Sequence, residues 1–210
     1  MARTKGIGGL QLSGKLGNLV FVPYGDETIV RMAPEKRKSD SWSQKQQEHR
    51  KRFYGVNVLY RKVKQEFVEP IWKRSATKKH TGYNLFIKAN LPAFGEFGQL
   101  VDQSLLHFSC GSMPLPKNLS VKRLVDQSAE VHISWNPRCF TQQEAADDEL
   151  CLVLLGDPYA ARLVACGVGR GAGAYTLHLN EQQAREHPAL FLFFRRNDAS
   201  CYSDDKFFRL

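Results

Sequence analysis

The chain has 210 residues, with 30 Lys/Arg against 21 Asp/Glu and a formal net charge of +9. A 42% hydrophobic and 24% charged content excludes wholesale disorder, and the longest apolar runs, Leu150 to Leu155 and Ala189 to Phe194, fall far short of the roughly 20 residues a membrane-spanning helix needs. The basicity belongs to one end: residues 1–80 hold 18 Lys/Arg against 7 Asp/Glu, the imbalance expected of a surface that meets a polyanion.

Glycines 6, 8, 9, 14 and 17 make the opening segment loop-like. Asn18 to Val22 and Glu27 to Met32 are β-prone runs flanking Pro23-Tyr24-Gly25-Asp26, which predicts a hairpin. Ser41 with Gln44 reads as a capping box. Phe53, Val56, Tyr60, Val63 and Phe67 then recur at spacings of 3 and 4, so one face of a long helix is apolar as far as Glu69, where Pro70 should stop it. On the opposite side fall Arg50 and Arg61, with Lys51 and Lys62 beside them and Tyr54 between. Ile71-Trp72 extends this region, and Thr81 caps a second helix, Gly82 to Asn90, whose Leu85, Phe86 and Ala89 pack on the first.

Prolines 92, 114 and 116 break the segment that follows, and a domain boundary is placed at its end, giving modules 1–116 and 117–210. Beyond it seven β-prone runs recur: Leu119 to Leu124, Ala129 to Trp135, Glu149 to Leu155, Arg162 to Cys166, Ala174 to Leu179, Ala189 to Arg195 and Cys201 to Leu210. Val131, Ile133 and Trp135 alternate with polar residues and should point inward. The fold class expected is α+β: an N-terminal hairpin plus helices, then a β-sandwich of immunoglobulin or fibronectin type III kind.

Val131-His-Ile-Ser-Trp-Asn-Pro137 resembles the second strand of fibronectin type III domains, where a tryptophan fills the core before a proline turn. The tyrosine-rich third strand of that family is missing, because Glu149 to Leu155 is nearly all apolar. Taken in order, Ser13-Gly-Lys-Leu-Gly-Asn18, Arg50-Lys-Arg-Phe53 and Tyr83-Asn-Leu-Phe-Ile-Lys-Ala-Asn90 are similar to a domain-of-unknown-function family of small bacterial proteins typical of Bacteroidota. That resemblance implies the two-part plan and carries no activity. The first 80 residues are more basic here than in a typical member.

Motifs for catalysis are weak. Gly9 to Lys15 matches the start of a phosphate-binding loop, but Leu16 stands where a Ser/Thr hydroxyl must hold Mg²⁺. The Gly167 to Gly173 run around Arg170 reads as a hairpin connection. Histidines 49, 80, 107, 132, 178 and 187 lack zinc-ligand spacing, and Asp147-Asp148-Glu149 and Asp204-Asp205 read as solvated turns. No metal, cofactor or catalytic residue is expected. The five cysteines form no C-x-x-C pair and the N-terminus lacks a signal-peptide pattern, which suits a reduced, cytoplasmic protein without membrane insertion.

The expected function is therefore non-enzymatic binding of nucleic acid or nucleoprotein without strong sequence specificity. Lys36, Arg37, Lys38, Arg50, Lys51, Arg61, Lys62, Lys73, Arg74, Lys78 and Lys79 would neutralise phosphates. Tyr24, Tyr54 and Trp72 are interleaved as possible stacking contacts. The competing class is an assembly protein of a phage particle or other multi-subunit machine, docking to partners through the sandwich.

Overall fold

In the computed structural model, which describes residues 2–5, 12–35, 42–123, 130–156, 159–180, 182–183 and 188–210, the chain is mixed α+β and mostly β, with three antiparallel sheets. Strands β1 (Ala2–Lys5), β2 (Gly14–Leu16), β3 (Leu19–Tyr24) and β4 (Glu27–Met32) form the first sheet in the order β1-β4-β3-β2. The expected hairpin is β3–β4, and Gly25, at φ 62°, permits its two-residue turn. Pro23, expected in the turn, lies within β3 opposite Thr28. The opening segment is not merely a loop: β1 and β2 pair with the two edges of the hairpin. Their backbone groups gain ladder partners there, which outweighs the poor strand propensity of glycine. Gly6, Gly8 and Gly9 lie outside the described residues.

Helix α1 (Gln44–Val63) is capped by Ser43, two residues beyond the expected cap Ser41, which lies outside the described residues. The Ser43 hydroxyl accepts the Gln46 N–H at 3.4 Å and the Gln46 side chain accepts the Ser43 N–H at 3.1 Å, so a reciprocal capping box is present. A π-helical turn, Lys64–Val68, joins α1 to α2 (Glu69–Arg74), so Pro70 does not end the helical run. The wider turn places the proline in the first turn of α2, where a missing N–H is tolerated. α3 (Gly82–Asn90) starts where expected, with the Thr81 hydroxyl accepting the Asn84 N–H at 3.2 Å.

The remaining strands are β5 (Ser120–Arg123), β6 (Glu130–Ser134), β7 (Glu149–Gly156), β8 (Ala160–Gly169), β9 (Ala174–His178), β10 (Ala189–Arg195) and β11 (Lys206–Arg209). They form a three-stranded sheet, β5-β6-β9, and a four-stranded one, β11-β10-β7-β8. The central strands β7 and β10 explain the nearly continuous apolar run noted above. Cys151, Val153, Leu155, Ala189, Phe191 and Phe193 point one way, into a cluster with Val56, Leu59, Tyr60, Val63, Phe67, Ile71, Trp72 and Phe86 of the helices. Leu150, Leu152, Leu154, Leu190, Leu192 and Phe194 point the other way, into a cluster with Val131, Ile133, Trp135 and Leu177 of the three-stranded sheet. A strand covered on both faces has no polar side to alternate with.

The boundary placed at residue 116 is crossed by the first of these clusters. Leu106 and Phe108 are buried in it, the Phe108 N–H donates to Asp205 at 2.6 Å, and the Met113 N–H donates to the Tyr202 carbonyl at 3.1 Å. The segment before 116 thus runs beside the end of the chain. Trp135 is buried as expected, edge-on to Phe194 and donating its indole N–H to the Arg170 carbonyl at 2.6 Å. The glycine-rich loop before β9 is not a hairpin connection, because β8 and β9 belong to different sheets.

Candidate nucleic-acid interface

Helical periodicity sets which residues of α1 face outward. The buried stripe is Val56, Leu59, Tyr60 and Val63, continued by Phe67 and Val68 beyond the helix end. Phe53, expected in this seam, is 42% exposed. Counted from the centre of the stripe at 100° per residue, it lies nearly a quarter-turn to one side, beyond reach of the sheet. Tyr54 is 68% exposed and points almost directly away from the core.

Arg50, Lys51, Arg61 and Lys62 are all exposed on this outer side. Arg50 and Arg61 share an angular position but stand about 16 Å apart along the axis, so they form a track and not a single cluster. The Arg50 guanidinium lies 4.4 Å from the centre of the Trp42 ring, the Lys51 ammonium 5.2 Å from that of Phe97, and the Lys62 ammonium 5.7 Å from that of Tyr159. Each stack positions a cation without neutralising it.

Phe97 is 76% exposed, and the local backbone explains why it stays there. The Gly98 N–H donates to the Gly95 carbonyl and the Gly95 N–H to the Gln99 carbonyl, each at 2.9 Å, while the Phe97 N–H donates to the Gln99 side chain at 3.1 Å. This tight turn sits directly on α1, because Gly98 at φ 82° and Gly55 let the two backbones meet; a Cβ on Gly55 would collide with the Gly98 carbonyl. The turn therefore fixes Phe97 beside Lys51.

The other expected phosphate contacts are dispersed. Lys73 and Arg74 are exposed at the end of α2, Lys79 is exposed after it, and Lys78 lies 3.4 Å from Asp26 at the tip of the β3–β4 turn. Lys36, Arg37 and Lys38 lie outside the described residues. Trp72 is no stacking contact: it is buried, edge-on to Phe86, with its indole N–H donating to the Phe108 carbonyl at 3.0 Å. Tyr24 is half-buried in β3. The first sheet adds features the sequence reading did not single out. Cross-strand partners share a face, so Lys15 and Arg31, both opposite Val20, form an exposed cationic row, whereas Leu16, Leu19 and Met32 form an exposed apolar row on the reverse.

Each acidic cluster expected as a solvated turn holds one enclosed anchor, Asp148 or Asp205, while Asp147 and Asp204 are exposed as expected. Asp148 is fully buried beside Arg170, which is also fully buried. The Arg170 guanidinium contacts Glu144 at 2.9 Å, Asp148 at 3.5 Å and the Pro114 carbonyl at 2.9 Å, over the ring of Phe194 at 4.8 Å. Burial alone would raise the Glu144 carboxyl, but the N–H groups of Phe140 and Thr141 and the Arg170 charge hold it below its usual range. The Asp205 carboxylate is enclosed and bonded to His107 at 3.0 Å; burial raises it above its usual range, opposed by its hydrogen bonds with His107 and the Phe108 N–H. Its hydrogen bond raises the His107 imidazole above its usual value, against the opposing effect of burial.

Among the described residues, no three His, Cys, Asp or Glu side chains gather where a metal ion would be held, and no helix is long and apolar enough to cross a membrane. Burial pushes the Cys151 and Cys166 thiols up to about 12, which removes them as nucleophiles near neutral pH. Comparisons with protein-family models, with curated proteins and with solved structures return no match.

Proposed function

We propose that the protein is a non-enzymatic binding protein whose basic N-terminal region contacts a polyanion, nucleic acid or a nucleoprotein, through its backbone phosphates. The observation that carries this reading is the outer side of α1, where Arg50, Lys51, Arg61 and Lys62 remain exposed and three of the four lie beside aromatic rings. Cations spaced along a helix meet successive phosphates and yield affinity with little base discrimination. Changing all four to Gln should leave the fold intact, since none lies in the buried stripe. Binding to DNA and RNA should weaken similarly across sequences, and the slope of log affinity against log salt should flatten by up to about 3 units. A folded quadruple variant that binds as the wild type does would defeat the reading.

The apolar row Leu16, Leu19 and Met32 favours a second reading, an assembly protein of a phage particle or other multi-subunit machine. The strand orders β5-β6-β9 and β11-β10-β7-β8, with a shared apolar cluster between the sheets, support treating the second half as a fibronectin type III-like sandwich serving as a docking platform. A fixed stoichiometry with one protein partner, insensitive to salt, would favour this alternative.

A further inference from the structure

The cations on α1 account for attraction to phosphate but leave its exposed rings unexplained. Phe53, Tyr54 and Phe97 are 42%, 68% and 76% exposed, and all three belong to α1 or to the turn seated on it. A phenylalanine held in water by a hydrogen-bonded turn adds little to the fold beyond its contact with Lys51, since removing its ring from solvent would be favourable. Arg50 lies over Trp42 and Lys51 over Phe97, so cations and flat apolar faces alternate around the outward half of the helix.

From this alternation we infer that the outer face of α1, together with the turn at Phe97, binds single-stranded nucleic acid, with unpaired bases stacking on Phe97, Tyr54 and Phe53 while the cations follow the phosphates. The inference rests on the polyanion reading and names its substrate class. A duplex keeps its base faces inside its own stack, so it offers phosphates to the cations but nothing to the rings. A single strand offers both, and base–aromatic stacking tolerates any sequence because every base has a flat face. A lipid surface fits less well. Charges interrupt the aromatic residues, with exposed Glu96 next to Phe97 and half-buried Glu48 on α1, so this side of the helix has no continuous apolar face to enter a bilayer. The distance from Arg50 to Arg61 along the helix, about 16 Å, leaves room for a strand of several nucleotides.

The test measures fluorescence anisotropy of the full chain with labelled oligo-dT and oligo-rU of about 20 nucleotides, a mixed-sequence duplex of the same length, and heparin as a polyanion without bases. Single strands should bind at least about tenfold more tightly than the duplex. Phe97→Ala and Tyr54→Ala should each weaken single-strand binding about tenfold while leaving duplex and heparin binding unchanged, and Phe97→Trp should restore it. The two side chains are exposed, and circular dichroism checks that the variants stay folded. The ratio of dT to rU affinity distinguishes DNA from RNA as the natural strand.

Equal affinity for single strand and duplex, or aromatic variants that bind like the wild type, overturns the single-strand inference while leaving the polyanion reading standing. Absence of binding to every polyanion at low salt, or binding to phosphatidylserine vesicles alone, overturns both.

Discussion

Strands β3, Leu-Val-Phe-Val-Pro-Tyr, and β10, Ala-Leu-Phe-Leu-Phe-Phe-Arg, have similar apolar content and different surroundings. Six of the seven β10 residues are buried because helices cover one face of its sheet and a second sheet covers the other. No residue of β3 is buried, and its neighbours in register, Leu16 and Met32, are 71% and 65% exposed. Burial thus follows from what lies above and below a strand rather than from the strand itself. The division also separates two tasks: the layered body around β7 and β10 supplies stability, while the first sheet and the outer side of α1 present charge and apolar surface to solvent.

The most drastic way to break this comparison is to remove one covering layer. A fragment of residues 117–210 lacks α1, α2 and α3, exposing Cys151, Val153, Leu155, Phe191 and Phe193 together. It should aggregate or bind a hydrophobic dye strongly. A monomeric fragment with cooperative unfolding and no dye binding would show that the two sheets are self-sufficient and that the boundary at 116 separates independent domains.

A sharper version compares two arginines. Arg170→Ala removes the partner of buried Glu144 and Asp148 and should cost about 3 to 5 kcal/mol in denaturant unfolding. Arg61→Ala, on the exposed side of α1, should leave the unfolding midpoint nearly unchanged. Similar losses at both positions would mean that the outer side of α1 belongs to the stabilising body.

The smallest effect concerns the link between the 106–113 segment and the end of the chain. Asp205 raises His107, and Asp204 adds to the same effect, so the proton on His107 stabilises the folded state. With the folded value above the unfolded one, that stabilisation is complete below about pH 6.5 and is lost as pH rises through the folded value. The melting temperature should fall slightly between about pH 6 and pH 9, and His107→Gln should remove that part of the dependence. Because His107 is half exposed, solvent screening keeps the change small. A wild-type dependence identical to that of the variant would show that the pair does not couple the two segments.

Much of the fold was legible locally. The β3–β4 hairpin, the start of α3 at Thr81, and the β-prone runs of the second half follow from turn residues, caps and periodicity, which act over a few positions. Trp135 was readable as inward from alternation alone. The candidate interface was legible in part. The charges on α1 follow from spacing, but Phe53 was assigned to the seam and Phe97 was not singled out, because tertiary contacts, Gly98 against Gly55 and Lys51, and Phe94 against Gly55, hold the Phe97 turn on the helix. Trp72 was misread as a surface ring, since its partners Phe86 and Phe108 come from later segments.

What the amino-acid order by itself determined is the set of elements and the one-sided charge, because propensity, capping and composition are properties of neighbouring residues. Tertiary structure alone decided which apolar strand is enclosed, which acid and which arginine are buried, and which aromatic rings remain in water. Arg170 and Arg61 are the same residue type, each beside hydrophobic neighbours in sequence or space. The first is fully enclosed because Glu144, Asp148 and the Pro114 carbonyl, supplied by distant segments, replace the water it loses; the second has no such enclosure and keeps its hydration.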